Sequence, residues 1–159
     1  MNIDYEFIDS KEFLLFFNEN RKALYEDNFD FDVFKLCSEN EISKIKALNT
    51  PLNNLKAYYL VAKEGNDIIG WSFGIQRTQS DFYMINSAVF PEYRRKGIYT
   101  TVLKKVVSHI SEMGFQRIYS LHKMSNNEVI IPKLKAEFVI TGIQVNDMFG
   151  SLVELSYYT

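Results

Sequence analysis

Cysteine, proline and histidine are scarce in this chain. Its 159 residues include one cysteine, three prolines and two histidines. A single cysteine, Cys37, excludes an internal disulfide and is usual in a reducing compartment. The N-terminal residues lack the apolar core of a signal peptide, so we expect a cytoplasmic protein. No cluster has the spacing of metal ligands, and we expect no metal.

Charge and hydropathy exclude two further classes. The net charge is −2 and the pI is near 5.7, so the broad basic face of a nucleic-acid-binding protein is not expected. No apolar run approaches the ~20 residues that span a bilayer, which predicts no membrane partner. Hydrophobic residues make up 47% of the chain and no linker or repeat interrupts it. We therefore expect one domain over residues 1–159.

The first third of the chain is predicted to be mostly helical. Alternating apolar residues at 3–7 indicate a strand. Asp9 with Glu12, and Ser38 with Glu41, have the spacing of capping boxes that begin helices. The first helix is expected to continue to about residue 25, and Thr50-Pro51 should stop the second.

An acidic, aromatic stretch lies between these two helices. Asp27, Asp30 and Asp32 interleave with phenylalanines. Two interpretations stay open, a solvated loop with its aromatic rings turned inward and a wall that receives a cationic amine.

The middle of the chain changes to a period of two, which indicates strands. The predicted strands cover 58–62, 69–75 and 82–90, and a turn is expected at 64–67. In the second strand one face is apolar: Ile69, Trp71, Phe73 and Ile75.

A phosphate-binding turn is predicted where the third of these strands meets the next helix. Arg94, Arg95 and Lys96 precede Gly97, and an amphipathic helix follows. The free N–H groups and positive dipole of a helix N-terminus attract anions, and the three cations add to this attraction. Glycine allows a close approach of backbone and ligand.

The helix from Gly97 should end at Gly114, and strand 116–121 follows. Strand, turn, helix and strand form a βαβ unit whose strands should be parallel. Two more strands are expected at 138–145 and 151–158.

Two segments resemble motifs of the GNAT superfamily of N-acyltransferases. Arg94-x-x-Gly97-x-Tyr99 is similar to its acyl-CoA signature, in which a small residue is usual where Tyr99 stands. The segment from Asn126 to Phe138 is similar to the family's Asn-x(6)-Tyr-x(3)-Gly-Phe pattern. Lys133 stands where many members carry a tyrosine that protonates the leaving thiolate, and Glu137 stands where they carry glycine.

The resemblance implies a mixed α/β (α+β) fold. Its central sheet is mostly antiparallel with one splayed parallel strand pair, and helices flank it. Acetyl-CoA is the implied acyl donor, with its pantetheine arm in the gap between the splayed strands. The residues implied to contact it are Ala88, Val89, Arg94, Arg95, Lys96, Gly97, Ile98, Tyr99, Thr100, Asn126 and Lys133.

The implied activity is transfer of an acetyl group to a primary amine of a small molecule or a protein. A base must accept a proton from the ammonium form of that amine. Many family members place a glutamate on the strand before the signature, but strand 82–90 has no carboxylate. Tyr83 and Ser87, expected on the same side of this strand, and His122, expected at a strand end, are the candidates.

Several alternatives stay open. One is a domain that binds acyl-CoA as a sensor or scaffold without turnover. Another is a nucleotide-phosphate binder, although the turn lacks the Gly-Lys-Ser/Thr ending of a P-loop. The acyl group could be longer than acetyl. The last strand is apolar on both faces near its end, which indicates either a partner, as in a homodimer, or a central place in the sheet.

Overall fold

A seven-stranded sheet organises the structure, a computed structural model that describes residues 2–24, 37–49, 55–147 and 149–159. The strands are β1 (Asp4–Phe7), β2 (Ala57–Glu64), β3 (Asp67–Gln76), β4 (Asp81–Val89), β5 (Arg117–Lys123), β6 (Val139–Asn146) and β7 (Gly150–Tyr158). The helices are α1 (Ser10–Leu24), α2 (Glu39–Asn49), α3 (Ile98–Glu112) and α4 (Asn127–Lys135).

The strand order is β1-β2-β3-β4-β5-β7-β6. Neighbouring strands are antiparallel except β4 and β5, which are parallel. This pair begins at Asp81 and Arg117 and ends at Tyr83 and Tyr119, so the strands are unpaired beyond that point. The predicted mixed fold with one splayed parallel pair is confirmed.

The predicted helix starts are found. The Asp9 carboxylate accepts hydrogen bonds from two N–H groups in the first turn of α1. Ser38 and Glu41 form the reciprocal capping box before α2, and these hydrogen bonds lower the pKa of Glu41. The acidic stretch at 27–32 and the Thr50-Pro51 stop lie outside the described residues.

Both faces of the sheet are covered. The apolar stripe of α3 packs on one face over β2 to β5, and α1 packs on the other through Phe13. The buried residues of the α3 stripe are Ile98, Val102, Leu103, Val106 and Ile110. The last strand, β7, lies between β5 and β6, which explains apolar residues on both its faces.

Because of two β-bulges, some side chains lie on a different face of the sheet from the one predicted. At the first, between β2 and β3, the register shifts so that Ile69 packs in the α3 layer while Trp71 packs with Phe13. At the second, the register between β3 and β4 skips Ile85. Tyr83 and Ser87 therefore lie on opposite faces of β4, not on the same side.

The described helices include none that is long and apolar enough to cross a membrane.

Candidate active site

The turn between β4 and α3 has the backbone conformation of an anion site. Arg95 has φ +61° and Gly97 has φ +79°, both left-handed. Gly97 is the N-cap of α3, and no side chain caps the helix. The N–H groups of the first turn have no partner inside a helix. These groups and the positive end of the helix dipole can therefore bind a phosphate.

The three cations of this turn have different surroundings. Arg94 donates from Nε to the Val89 carbonyl at 3.1 Å, and its guanidinium lies 3.7 Å from the Glu128 carboxylate. Lys96 lies over the Tyr93 ring at 5.1 Å. Arg95 is exposed. Arg94 is thus held by β4 and by α4, and Arg95 extends into solvent beside the turn.

A cavity of about 540 Å³ joins this turn to the end of β4 and to α4. Of the predicted donor contacts, all except Lys96 and Lys133 line it. The lining residues are Leu24, Ser87, Ala88, Val89, Tyr93, Arg94, Arg95, Gly97, Ile98, Tyr99, Thr100, Asn126, Glu128, Val129 and Pro132. Glu128, Val129 and Pro132 were not predicted, although their spacing along one helix face was visible in the sequence.

The Tyr99 side chain, in the first turn of α3, packs against the core and lines one side of the cavity. Its hydroxyl is buried and has no hydrogen-bond partner among the described residues. Burial raises the pKa of this phenol, so it stays protonated.

The backbone of β4 presents an N–H group toward the gap. Phe90 donates its N–H to Ile69 on β3. Successive N–H groups of an extended strand point to opposite edges, so the Val89 N–H points away from β3, toward the side where β5 has diverged. The bulge and the end of the parallel pairing leave this edge of β4 open to a ligand.

Ser87 lines the cavity and begins a chain of buried hydroxyls. Its Oγ lies 2.8 Å from the Ser72 hydroxyl, which lies 2.8 Å from the Tyr58 hydroxyl. Burial raises the pKa of Tyr58, so the chain ends on a protonated phenol. Ser87 can therefore donate or accept a hydrogen bond in the cavity.

Tyr83 lies outside the cavity, on the sheet face opposite α3. Its ring packs against the Tyr119 ring in a tilted arrangement, with 5.0 Å between the ring centroids, and the Arg77 guanidinium lies 5.8 Å from the Tyr83 centroid. Burial raises the pKa of Tyr83. A proton acceptor at this position would have to act from the far side of β4.

Lys133 and His122 meet at one hydroxyl, that of Ser120. Nζ of Lys133 lies 2.5 Å from Ser120 Oγ, and Nε2 of His122 lies 2.9 Å from the same atom. His122 is the penultimate residue of β5, close to the strand end where it was expected. Its burial, and then the nearby charge of Lys133, lower its pKa to about 3. Ser120 was not predicted, although it lies two residues from His122 and hence on the same strand face.

Pro132 and Glu137 have unusual backbone positions around α4. Pro132 is the sixth residue of the helix and not in its first turn, so the Glu128 carbonyl loses an i to i+4 partner. Glu137, just past the helix, has φ +66° where the family pattern has glycine. In the described part of the chain, no group of histidine, cysteine and acidic residues could hold a metal ion.

A family model matches this sequence over residues 16–132. Its description is Acetyltransferase (GNAT) family. The match covers the cavity and the turn before α3 and ends at Pro132, one residue before Lys133. No curated protein matches the sequence.

Three solved structures illustrate the similarity of fold. A GNAT family acetyltransferase from Elizabethkingia anophelis with acetyl-CoA bound has a TM-score of 0.68 and 16% identity, with 99% of each chain covered. The ribosomal-protein-S18-alanine N-acetyltransferase from Escherichia coli has a TM-score of 0.68 and 14% identity, with 99% of this chain and 94% of that one covered. A spermidine N-acetyltransferase chimera from Vibrio cholerae and hSSAT has a TM-score of 0.68 and 13% identity, with 99% of this chain and 96% of that one covered.

Proposed function

The chain belongs to the acetyltransferase (GNAT) family, and from this premise we propose that it transfers an acetyl group from acetyl-CoA to a primary amine. The observation that carries the proposal is the uncapped N-terminus of α3, with left-handed Arg95 and Gly97, opening on a cavity of about 540 Å³. Such a site fits a diphosphate group with an extended arm.

The residues of the cavity fit the parts of the donor substrate. N–H groups from Arg95 to Thr100 hold the diphosphate, and Arg94 adds positive charge. The open edge of β4 at Val89 faces the arm, and Ala88, whose N–H points toward β3, lines the wall beside it. Because so much of this site is backbone, it tolerates the change from a small residue to Tyr99.

The chemistry proposed is direct attack of a neutral amine on the thioester carbonyl. The Val89 N–H stabilises the oxyanion that develops. Ser87 is the candidate proton relay that lines the cavity. His122, with a pKa of about 3, is neutral at physiological pH and too weak a base to accept the amine proton, so its role is as a hydrogen-bond partner.

The acceptor is proposed only as a class. The names of two of the similar solved structures give the acceptor as a protein alanine in one case and as spermidine in the other. Both acceptors are primary amines, so both belong in a first screen. We further propose that the chain forms a single cytoplasmic domain and that it is a monomer or a homodimer.

Thermal unfolding with and without acetyl-CoA tests the donor site, with ATP as the control ligand. A ligand that binds only the folded state raises its melting temperature. We expect a rise with acetyl-CoA that is lost in Gly97→Glu. The matched control is Gly114→Glu, at the other end of α3, because Gly114 is also left-handed and also has open space around its Cβ position. Equal shifts in both variants would exclude the turn as the donor site.

A second candidate function is acyl-CoA binding without turnover. The observation that favours it is the sequence of β4, which has no carboxylate after Asp81. Release of CoA from acetyl-CoA, with and without a panel of amines that includes spermidine and alanine peptides, separates the two. Amine-dependent release of CoA supports the transferase. Binding of acetyl-CoA without such release supports a protein that binds acyl-CoA without turnover.

A further inference from the structure

Three hydroxyl groups form a chain across three neighbouring strands. Ser72 on β3 pairs directly with Ser87 on β4, and their Oγ atoms lie 2.8 Å apart. Tyr58 on β2 lies diagonally opposite Ser72, and its hydroxyl lies 2.8 Å from Ser72 Oγ. A Cβ atom at Gly74 would lie 2.8 Å from Cε1 of Tyr58, so a side chain there would displace the ring. The chain of hydroxyls therefore runs from the core of the sheet to Ser87, which lines the cavity.

The buried end of this chain determines the direction of its hydrogen bonds. Tyr58 is 2% exposed and Ser72 is 0% exposed. Each hydroxyl carries one hydrogen, and a buried hydrogen without an acceptor is costly. Among the described residues, the hydrogen-bond partner of the Tyr58 hydroxyl is Ser72, so Tyr58 donates to Ser72. Ser72 must then use Ser87 as the acceptor for its own hydrogen.

Ser87 is consequently a hydrogen-bond donor toward the cavity. Its oxygen accepts from Ser72, so its own hydrogen can point into the space that it lines. The reverse direction would leave the Tyr58 hydrogen buried without an acceptor. Proton uptake through the chain would need a base at its far end, but the chain ends on Tyr58, whose pKa is raised by burial. This arrangement favours donation over proton acceptance by Ser87, the candidate relay of the proposed function.

The cavity brings the thioester end of the donor to this hydroxyl. Coenzyme A carries its phosphates at one end and its sulfur at the other. With the phosphates on the turn at 94–97, the arm runs back along β4, where Val89, Ala88 and Ser87 line the cavity. Of these three residues, Ser87 lies farthest from the turn along the chain. It is two residues from Val89 and therefore on the same face of the strand. A carbonyl oxygen at the open edge beside Val89 can thus also accept a hydrogen bond from Ser87.

Resting on the proposed function, we propose that the Ser87 hydroxyl donates a hydrogen bond to the carbonyl oxygen of the thioester, with Ser72 and Tyr58 as positioning residues. The acceptor nitrogen forms a bond to the carbonyl carbon, and the π electron pair moves to the oxygen. The hydrogen bond strengthens as this negative charge develops. The pair then returns, and the carbon–sulfur bond breaks with its electrons going to sulfur. Ser87 keeps its proton throughout, while solvent takes the proton from nitrogen and supplies the proton that sulfur receives.

Infrared spectroscopy of bound acetyl-CoA tests this without any knowledge of the acceptor. Labelling of the carbonyl carbon with a heavy isotope identifies the thioester band. A hydrogen bond to the oxygen weakens the C=O bond, so the band should lie at a lower frequency in the wild type than in Ser87→Ala. Ser87→Thr, which keeps a hydroxyl, should retain the wild-type band. Equal bands in the wild type and in Ser87→Ala would overturn the inference while the proposed function stands.

Two further variants test the positioning residues. Ser72→Ala removes the group that holds Ser87 in place, so the band should move toward that of Ser87→Ala. Tyr58→Phe should cause a smaller shift in the same direction, because Ser72 can still donate to Ser87. Ser156→Ala is the matched control and should leave the band unchanged. Ser156 is as buried as Ser72, but it contacts Arg117 and does not line the cavity. A wild-type band in Ser72→Ala would exclude the positioning role.

Affinity distinguishes the thioester from the rest of the donor. Coenzyme A lacks the thioester carbonyl, so Ser87→Ala should weaken the binding of acetyl-CoA by about 2- to 10-fold and leave that of coenzyme A unchanged. Equal losses for the two ligands would place the hydroxyl against the arm and overturn the inference. If Ser87→Ala does not fold, Ser87→Cys replaces it in both tests, because a thiol is a weak donor of similar shape. Failure of the wild type to bind either ligand is a different result, since it would remove the proposed function as well.

Turnover with an accepted amine gives an independent test. Removal of a donor that acts on the developing oxyanion should lower kcat, by about 100-fold for Ser87→Ala. KM for acetyl-CoA should change by no more than the affinity does. Ser87→Thr should recover most of kcat, because it restores the hydroxyl. A wild-type kcat in Ser87→Ala would exclude a role of this hydroxyl in the reaction.

Discussion

The guanidinium of Arg94 lies 3.7 Å from the carboxylate of Glu128, so an ion pair joins the turn before α3 to the first turn of α4. Both residues line the cavity. A carboxylate in a site proposed for a diphosphate competes for the same cation. In the proposed site, the donor takes Arg94 from Glu128 when it binds.

We predict that Glu128→Gln strengthens the binding of coenzyme A. The ion pair is largely exposed, so it is weak. The Kd of coenzyme A should therefore fall by about 2- to 5-fold at low salt. Isothermal titration calorimetry measures it, and the difference should shrink as salt is added. Glu19→Gln, which removes an exposed carboxylate from α1, is the control and should leave Kd unchanged. Weaker binding by Glu128→Gln would show that Glu128 contacts the donor favourably.

Glu137 occupies a backbone position suited to glycine. Its φ is +66°, and it follows the end of α4, where the Phe138 N–H bonds back to the Lys133 carbonyl. A side chain with a Cβ is strained in this left-handed conformation. We predict that Glu137→Gly raises the free energy of unfolding by about 1 kcal/mol, measured by urea denaturation.

The neighbouring Ala136 supplies the matched control for this change. It has φ −96°, which any residue adopts easily. Ala136→Gly adds the same flexibility to the unfolded chain without relieving strain, so it should lower the stability. If both glycine variants were destabilised, the left-handed conformation of Glu137 would not be the dominant factor.

The buried lysine should make stability depend on pH. The folded pKa of Lys133 is about 7, below its unfolded value of 10.5, so the unfolded chain binds the extra proton between these pH values. Stability must then rise with pH across this window, by up to about 1.4 kcal/mol per pH unit. Lys133→Met removes this contribution, and we predict that it is more stable than the wild type at pH 6 to 7. The difference, measured by denaturation, should shrink toward pH 10. A constant difference would contradict a lowered pKa.

Local patterns in the sequence predicted most of the fold. The capping residues Asp9 and Ser38 located two helix starts, and alternating apolar residues located β2 to β4. These signals work because they depend on neighbours in the chain. The position of the turn before α3 was also predictable, since its charges and Gly97 are consecutive.

The bulges and the buried polar contacts were not predictable in the same way. Ile85 is an ordinary strand residue, and the extra residue appears only when β4 is aligned with β3. The contact of Lys133 with Ser120 joins a helix to a strand through their packing. The family resemblance placed Lys133 among the donor-contacting residues, whereas the structure buries it and it is not among the residues that line the cavity.

Arg117, at the start of the parallel strand pair, forms polar contacts with β7. It bonds to the Glu154 carboxylate at 2.6 Å and to the Ser156 hydroxyl at 3.0 Å, and it lies 3.9 Å from the Asp81 carboxylate. Arg117→Met would leave Glu154 mostly buried without its cation. We predict a loss of about 1 to 3 kcal/mol in the free energy of unfolding, measured by urea denaturation.

The pair between Lys63 and Glu6 is the comparison for Arg117. Its glutamate is 48% exposed, against 15% for Glu154. Lys63→Met should therefore cost less than about 1 kcal/mol. A similar cost for both variants would mean that burial does not determine the strength of these ion pairs.

Tyr99, where the family signature has a small residue, carries a buried hydroxyl without a partner among the described residues. Such a group loses its hydration on folding and regains no hydrogen bond. We predict that Tyr99→Phe raises the free energy of unfolding by about 1 kcal/mol and leaves the Kd of coenzyme A unchanged, measured by denaturation and calorimetry on the same samples. Tyr93→Phe is the control. The Tyr93 phenol interacts with Glu64, so removal of its hydroxyl should not raise the free energy of unfolding. If Tyr99→Phe instead weakened coenzyme A binding, the hydroxyl would have a partner in the donor, and this tyrosine would be a binding residue specific to this chain.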